Sequence, residues 1–355
     1  MPEYLSLLAG PAAAERIRRD GLRPEQVTHY GAAAGGPKWM VLGHLDRAMF
    51  THWFGDDQPP VIATGASAGA WRLACLAQRD PVAAIDRFEG AYMVQRYSAR
   101  PTAAEISQGG RGILDQLLGD TGAGEIPHHP WLKVNVVAAR GRLGTASRNA
   151  LVQALGLSGA VAANLLHRRA LGAFMERVLV HAPGGALRLQ PDGFRTHHFE
   201  MTADNLVPAL MASATIPRIM ESVDAIPGAP PGPYIDGGMI DYHMDLPLAD
   251  RDGLTLIPHF ASRVTPGWLD KFLPWRAARH LDNALVIAPS PAMLDRFPNR
   301  RIPDRKDFAR YGNDDAGRTR DWQRAIAESR AMADEFMQRV EKDDFAAHLQ
   351  PLSPQ

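Results

Sequence analysis

Residues 60–69 have the sequence PVIATGASAG, in which an apolar, β-branched run leads into five small residues centred on Ser67. A short apolar run of this kind, with Val61 and Ile62, predicts a buried strand. The apolar residues from Trp71 to Leu76 predict a helix. Small residues two positions before and after a serine allow a sharp strand-to-helix turn that exposes the hydroxyl. The stretch therefore predicts a βα unit with Ser67 at its turn.

The same succession of strand, glycine-rich turn and helix occurs once before in the chain. Residues 27–30 predict a strand, residues 31–36 are all small, and apolar residues recur at helical spacing over 39–50. Pro37 suits the first turn of that helix, where a missing N–H has no consequence. Two successive units of this kind predict a mainly parallel sheet flanked by helices.

The rest of the chain predicts further strands and helices of the same α/β class. The predicted strands lie at 132–138, 195–200, 254–260 and 283–288, and the predicted helices at 203–212 and 315–342, while residues 81–119 are mostly helical in pattern. Residues 149–178 are rich in Ala and Leu, and we expect two helices separated near residues 156–159, as core or as a cap over an apolar pocket. Arginines alternate with aspartates over 289–313, which predicts a solvated surface loop and only weakly indicates contact with anionic head groups.

Composition limits the classes of partner. Lys plus Arg and Asp plus Glu both number 39, so the formal net charge is zero and we expect no nucleic-acid partner. Cys75 is the single cysteine, which excludes an intrachain disulfide and fits a reducing compartment. Neither a secretory signal nor a membrane-spanning run is recognisable, so we expect a cytoplasmic protein and leave peripheral membrane contact open.

Three motifs could carry chemistry. Ser67 would be a nucleophile if a base takes its proton, although a buried serine in a plain glycine-rich turn is the alternative. The loop GAAAGGPK at 31–38 could aim backbone N–H groups at an oxyanion, with Lys38 adding positive charge. Its spacing differs from that of a phosphate-binding loop, since Trp39 stands where a hydroxyl residue would hold magnesium. Asp236, before two glycines, could be the base or could form an ordinary Asx turn.

Taken in order, these motifs resemble the patatin-like phospholipase family. The resemblance rests on the GGxK of 35–38, the GxSxG of 65–69, the ASATIP of 212–217 and the DGG of 236–238. It implies one three-layer α/β/α domain over residues 1–355, with a mainly parallel sheet, a helical insertion at 149–178 and a C-terminal helix at 315–342. The first loop departs from the family pattern, with Lys38 in place of an arginine and Trp39 in place of a glycine.

The resemblance also implies a mechanism. Ser67 and Asp236 would form a catalytic dyad without histidine, and the oxyanion hole would comprise Gly35, Gly36 and Ala68, supported by Lys38. The substrate would be a lipid carboxyl ester of the phospholipid or lysophospholipid class, and no cofactor or metal is expected.

Three alternatives stay open at this point. A Ser-Asp-His esterase would need a late histidine, for which His259, His280 and His348 are available; we expect His280 on a helix surface. An acyltransferase would use the same nucleophile with an alcohol as acceptor. A lipid-binding protein that kept the fold would need neither Ser67 nor Asp236.

Overall fold

A computed structural model describes residues 3–352 of the chain, in which ten strands form one mixed sheet. The strands, β1 to β10 in chain order, are Leu5–Ala9, Val27–Ala32, Val61–Ala66, Leu132–Gly141, Met175–His181, Thr196–Glu200, Tyr234–Asp236, Leu254–Pro258, Ala284–Pro289 and Leu349–Pro351. Their spatial order is β10-β1-β9-β8-β2-β3-β4-β5-β6, and β7 pairs with β4. Six pairings are parallel; β1 with β9, β4 with β5 and β4 with β7 are antiparallel.

Helices connect the strands in the manner of an α/β protein. The α-helices, α1 to α11, are Pro11–Asp20, Gly43–Ala48, Ala68–Leu76, Pro81–Met93, Ala103–Leu118, Gly122–Glu125, Ala150–Leu166, Ala203–Ala214, Pro291–Arg296, Asp307–Tyr311 and Asp315–Lys342. Short 3₁₀ segments occur at Pro24–Gln26, Gly36–Leu42, Ile126–His128, Arg168–Ala173, Gly237–Met239, Trp268–Phe272, Pro298–Arg300 and Phe345–His348, and a π-helical turn at Met49–Trp53. No helix among residues 3–352 combines the length and apolarity needed to cross a bilayer.

The sheet is buried on both faces. Val136 and Ala138 of β4 belong to the largest apolar cluster, which also contains residues of α3, α8 and α11. Val137, which points to the opposite face, packs in a separate cluster with Leu179 and Met244. Burial on both faces confirms the predicted three-layer α/β/α class with mostly parallel strands, and it explains the apolar runs of the central strands.

Two long segments differ from their predicted secondary structure. Helix α7 runs unbroken through Gly156 and Gly159, and the residues after Leu166 form a 3₁₀ turn and strand β5 where a second helix is predicted. The glycines serve close packing. A Cβ at Gly156 would lie 2.6 Å from the carbonyl oxygen of Leu143, and one at Gly159 would lie 2.8 Å from the ring of Phe174. Segment 289–313, predicted as loop, contains α9, α10 and a 3₁₀ turn.

Candidate active site

Ser67 lies at the turn between β3 and α3, as the sequence predicts, in a backbone conformation that side chains rarely adopt. Its φ is 55° and its ψ is −131°, and such strain costs on the order of 1–3 kcal/mol. The turn also requires its glycines. A Cβ at Gly65 would lie 2.9 Å from the backbone nitrogen of Ala70, and one at Gly69 would lie 2.1 Å from the carbonyl oxygen of Ala32. Strain held at a turn of this kind is typical of a functional residue.

Replacing Ser67 with glycine should therefore stabilise the protein. Glycine reaches positive φ without a Cβ clash, but its larger entropy in the unfolded state offsets part of this gain. We expect the free energy of unfolding to rise by about 1 kcal/mol. Ser67→Ala, which keeps the Cβ, is the matched control and should leave the free energy of unfolding within about 0.5 kcal/mol of wild type. Urea titration of the three proteins measures the difference, and an equal or lower stability of the glycine variant would contradict the strain argument.

The end of α8 and the residue that follows it hold both candidate catalytic residues by their backbones. The Ser67 N–H donates to the carbonyl oxygen of Ser213 at 3.1 Å and to its Oγ at 2.9 Å. That hydroxyl in turn donates to the carbonyl oxygen of Val137 at 2.6 Å. Two residues on, the carbonyl oxygen of Thr215 accepts from the Asp236 N–H at 2.7 Å. The ASATIP motif of residues 212–217 thus sets the distance between the Ser67 turn and β7.

Asp236 ends β7 in a buried position beside Ser67. A Cβ at Gly237 would lie 2.1 Å from the carbonyl oxygen of Val137, so the chain can leave β7 here only through a residue without a side chain. Asp236 Oδ1 accepts a 2.7 Å hydrogen bond from the Gly238 N–H. Burial raises the pKa of Asp236 to about 6, against opposing contributions from the hydrogen bonds of Gly238 and Ser67 and from the charge of Arg305. A carboxylate with this pKa can take up and release a proton near neutral pH.

The glycine-rich loop lies across the same site. The Ala34 N–H donates to the carbonyl oxygen of Tyr242 at 2.8 Å, which ties the loop to the chain after Asp236. Gly36 has a φ of 57°, and a Cβ at Gly35 would lie 2.4 Å from the ring of Phe260. Gly35 lies in a loop, and its backbone N–H donates to no acceptor within residues 3–352. This N–H is therefore free to bind a ligand.

Lys38 and Ala68 occupy different positions relative to this loop. Lys38 Nζ lies 3.4 Å from Asp304 Oδ2 and 5.1 Å from the centre of the Phe260 ring. Ala68 is the first residue of α3 and borders the smaller cavity described below. The N–H groups at a helix N-terminus are oriented toward a negative charge. Lys38 therefore anchors the loop to the 304–306 segment, while Ala68 offers an N–H beside Ser67.

Two cavities meet at Ser67. The larger has a volume of about 840 Å³ and is bordered by Ser67, Asp236, Gly35 and Lys38, with Leu157 and Val161 of α7 on its wall. The smaller, of about 190 Å³, is lined mainly by apolar and aromatic side chains, including Trp71, Ile113 and Met220. A serine between a large cavity with charged and apolar walls and a smaller apolar pocket can present its hydroxyl to an ester whose acyl chain fills the smaller pocket.

None of the three candidate histidines borders either cavity. His259 is buried and its Nδ1 contacts the backbone of Ala261, while His348 pairs with Glu3. The expectation that His280 lies on a helix is wrong: it lies in the loop before β9, where its N–H donates to Asp245. Among residues 3–352, no three His, Cys, Asp or Glu side chains form a group suited to a metal ion.

Several residues of the larger cavity were not predicted as site residues. Arg305 and Lys306 come from the 289–313 segment, and Lys271 comes from the 3₁₀ segment after β8. The alternation of arginine and aspartate there is typical of a solvated surface, so nothing in the local pattern distinguishes Arg305 from its neighbours. Arg218, directly after the ASATIP motif, has a φ of 66°, a backbone conformation that only the structure reveals.

Comparison with known proteins identifies the family of this chain. The patatin-like phospholipase family matches residues 34–243, which include Gly35, Ser67 and Asp236 and make up more than half of the chain. A search of curated proteins found no significant match. The matched region begins in the glycine-rich loop and ends just after Asp236, so it spans the predicted motifs in their order. The chain belongs to the patatin-like phospholipase family, and this membership supports a lipid acyl hydrolase activity.

Proposed function

We propose that the protein hydrolyses lipid carboxyl esters through a dyad of Ser67 and Asp236. The observation that carries the proposal is the shared position of the two residues: Ser67 and the buried Asp236 border one cavity, and the Ser67 hydroxyl contributes to the pKa of the carboxylate. A carboxylate in contact with the hydroxyl can accept its proton directly. No histidine of residues 3–352 borders either cavity, which favours the dyad over a Ser-Asp-His arrangement.

The reaction follows from these positions. Ser67 Oγ attacks the ester carbonyl carbon while its proton passes to Asp236. The negative charge that develops on the carbonyl oxygen accepts hydrogen bonds from the N–H groups of Gly35, Gly36 and Ala68, and one well-placed donor is worth roughly 3–4 kcal/mol. Asp236 then protonates the departing alcohol. Water then attacks the acyl-enzyme while its proton passes to Asp236. Asp236 returns the proton to Ser67 Oγ, which releases the fatty acid and regenerates Ser67.

The experiment that tests this proposal is hydrolysis of matched esters by the purified chain. Glycerol and lysophospholipid esters with acyl chains of two to twelve carbons should release fatty acid. The rate should rise with chain length until the smaller cavity is filled, because apolar contacts along its wall stabilise the bound acyl chain. The proposal would be refuted if the purified protein released no fatty acid from any of these esters.

Peripheral contact with a lipid surface is a further part of this proposal. Helix α7 has no charged residue, and Leu151, Leu155 and Leu166 are 70%, 66% and 87% exposed. The same helix contributes Leu157 and Val161 to the wall of the larger cavity. An exposed apolar face that continues into a substrate cavity is suited to a lipid surface, from which an ester can enter without crossing water.

Substituting two leucines of α7 should weaken vesicle binding. We expect Leu151→Ser/Leu155→Ser to lower the fraction of protein that sediments with phospholipid vesicles at least about tenfold, because each buried methylene contributes roughly 0.8 kcal/mol. The control is Val94→Ser, which changes a 68% exposed residue at the end of α4. Hydrolysis of a water-soluble short-chain ester should be unchanged in both variants. Undiminished sedimentation of the double variant would rule out α7 as the contact surface.

A further inference from the structure

The larger cavity carries a local excess of positive charge in a chain whose total charge is balanced. Five cationic side chains border it, those of Lys38, Arg218, Lys271, Arg305 and Lys306, against two carboxylates, Asp236 and Asp304. One of these carboxylates, Asp304, already pairs with Lys38. A concave site lined by one sign of charge concentrates ligands of the opposite sign.

The remaining cations form no salt bridge within the described part of the chain, although the charge of Asp304 acts on Lys271 and that of Arg305 acts on Asp236. Among the ion pairs formed by residues 3–352, none includes Arg218, Lys271, Arg305 or Lys306. Lys271 Nζ lies instead over the rings of Trp268 and Phe272, 4.0 and 5.0 Å from their centres. Burial lowers the pKa of Lys271 to about 8, and repulsion from Lys38 and Arg305 adds to the effect. An anion placed among these side chains would relieve the repulsion.

The position of Arg305 relates this charge to the ester. Arg305 borders both cavities, as do Ser67 and Ile216. An ester whose acyl chain occupies the apolar pocket must direct its alcohol part into the larger cavity, which Arg305 and Lys271 both border. A negative group on that alcohol would form charge-assisted hydrogen bonds, which are stronger than those between neutral groups.

We propose that the alcohol part of the substrate carries a phosphate group with no compensating cation, bound by Lys271, Arg305 and Lys306. This inference rests on the proposed function, since it assigns the two halves of one ester to the two cavities. The enzyme would therefore bind an ester with an anionic phosphate more tightly than a neutral glyceride with the same acyl chain. It would also prefer that ester to a zwitterionic phosphocholine ester.

The test uses ligands that the enzyme cannot hydrolyse, so that binding is measured without turnover. Calorimetry below the aggregation concentration compares octyl phosphate with octylphosphocholine, which have the same alkyl chain. We expect octyl phosphate to bind at least about tenfold more tightly, as one charged hydrogen bond allows, and its affinity to fall as salt increases. Equal affinity of the wild-type protein for both ligands would overturn the inference.

A pair of lysine variants locates the site. Lys271→Gln should lower the affinity for octyl phosphate roughly tenfold and leave that for octylphosphocholine within about twofold. Lys342→Gln, at the exposed end of α11, is the control and should bind both ligands as wild type does. If Lys271→Gln does not fold, competition by inorganic phosphate against octyl phosphate in the wild-type protein decides, and no competition would overturn the inference. Labelling of Ser67 by a fluorophosphonate is measured in parallel, because its failure alone would refute the hydrolase and not the phosphate site.

Discussion

Ser67→Ala is expected to lower kcat/KM for ester hydrolysis by about 10⁴-fold or more, the range found when a catalytic serine is removed. The substitution deletes the oxygen that attacks the ester and changes nothing else of comparable importance. The Ser67 side chain is buried and makes no hydrogen bond that fixes the turn; the bonds that do so come from its N–H to Ser213. The variant should therefore fold normally while losing the acyl-enzyme intermediate.

A fluorophosphonate probe measures the same loss without a known substrate. The wild-type protein should be labelled at Ser67, and Ser67→Ala should not be labelled. Ser158→Ala, which removes an exposed hydroxyl from α7, is the control and should be labelled at the wild-type rate. Labelling of Ser67→Ala at an undiminished rate would place the nucleophile elsewhere. An unlabelled wild-type protein would favour the lipid-binding alternative.

The Ser67 turn could be predicted because its causes are local. A β-branched strand, a tight turn and an apolar helix follow one another within residues 60–76, and each has a recognisable pattern. The glycines are needed where the structure leaves no space, as at Gly69 against the carbonyl oxygen of Ala32. The mainly parallel sheet follows from the repetition of βα units, whose crossovers permit few arrangements.

The cations of the cavity could not be predicted because their causes are not local. Arg305 and Lys271 reach the cavity only because segments far from Ser67 in the chain form part of its wall, and no periodicity encodes that packing. The glycines of α7 gave a misleading signal for a similar reason. Gly156 indicates a helix break by propensity, yet it is needed where the helix packs against the backbone of residues 143–145.

Asp236→Asn is expected to reduce ester turnover to near the level of Ser67→Ala. An asparagine can still accept the hydrogen bond of Gly238, so the chain after β7 should keep its course, but it cannot take the proton of Ser67. His280→Ala should retain full activity, since His280 borders neither cavity. Loss of activity in His280→Ala together with activity in Asp236→Asn would establish the Ser-Asp-His alternative. Asp252→Asn also replaces a carboxylate with an amide, at an exposed position before β8, and is the control for that change.

The pH profile and the stability of Asp236→Asn follow from the same raised pKa. Because the base must be ionised, wild-type kcat/KM should fall about tenfold for each pH unit below about 6.

Burial raises the pKa of Asp236 from 3.8, so the folded state holds its proton more tightly than the unfolded state does. This carboxyl therefore lowers the stability of the protein as pH rises from about 4 to about 6. A shift of about 2 units corresponds to on the order of 2–3 kcal/mol, which asparagine should restore at pH 8 and not at pH 4. Thermal unfolding at the two pH values measures this difference. A variant that is inactive but no more stable than wild type at pH 8 would mean that Asp236 is ionised in the folded protein without an energetic penalty.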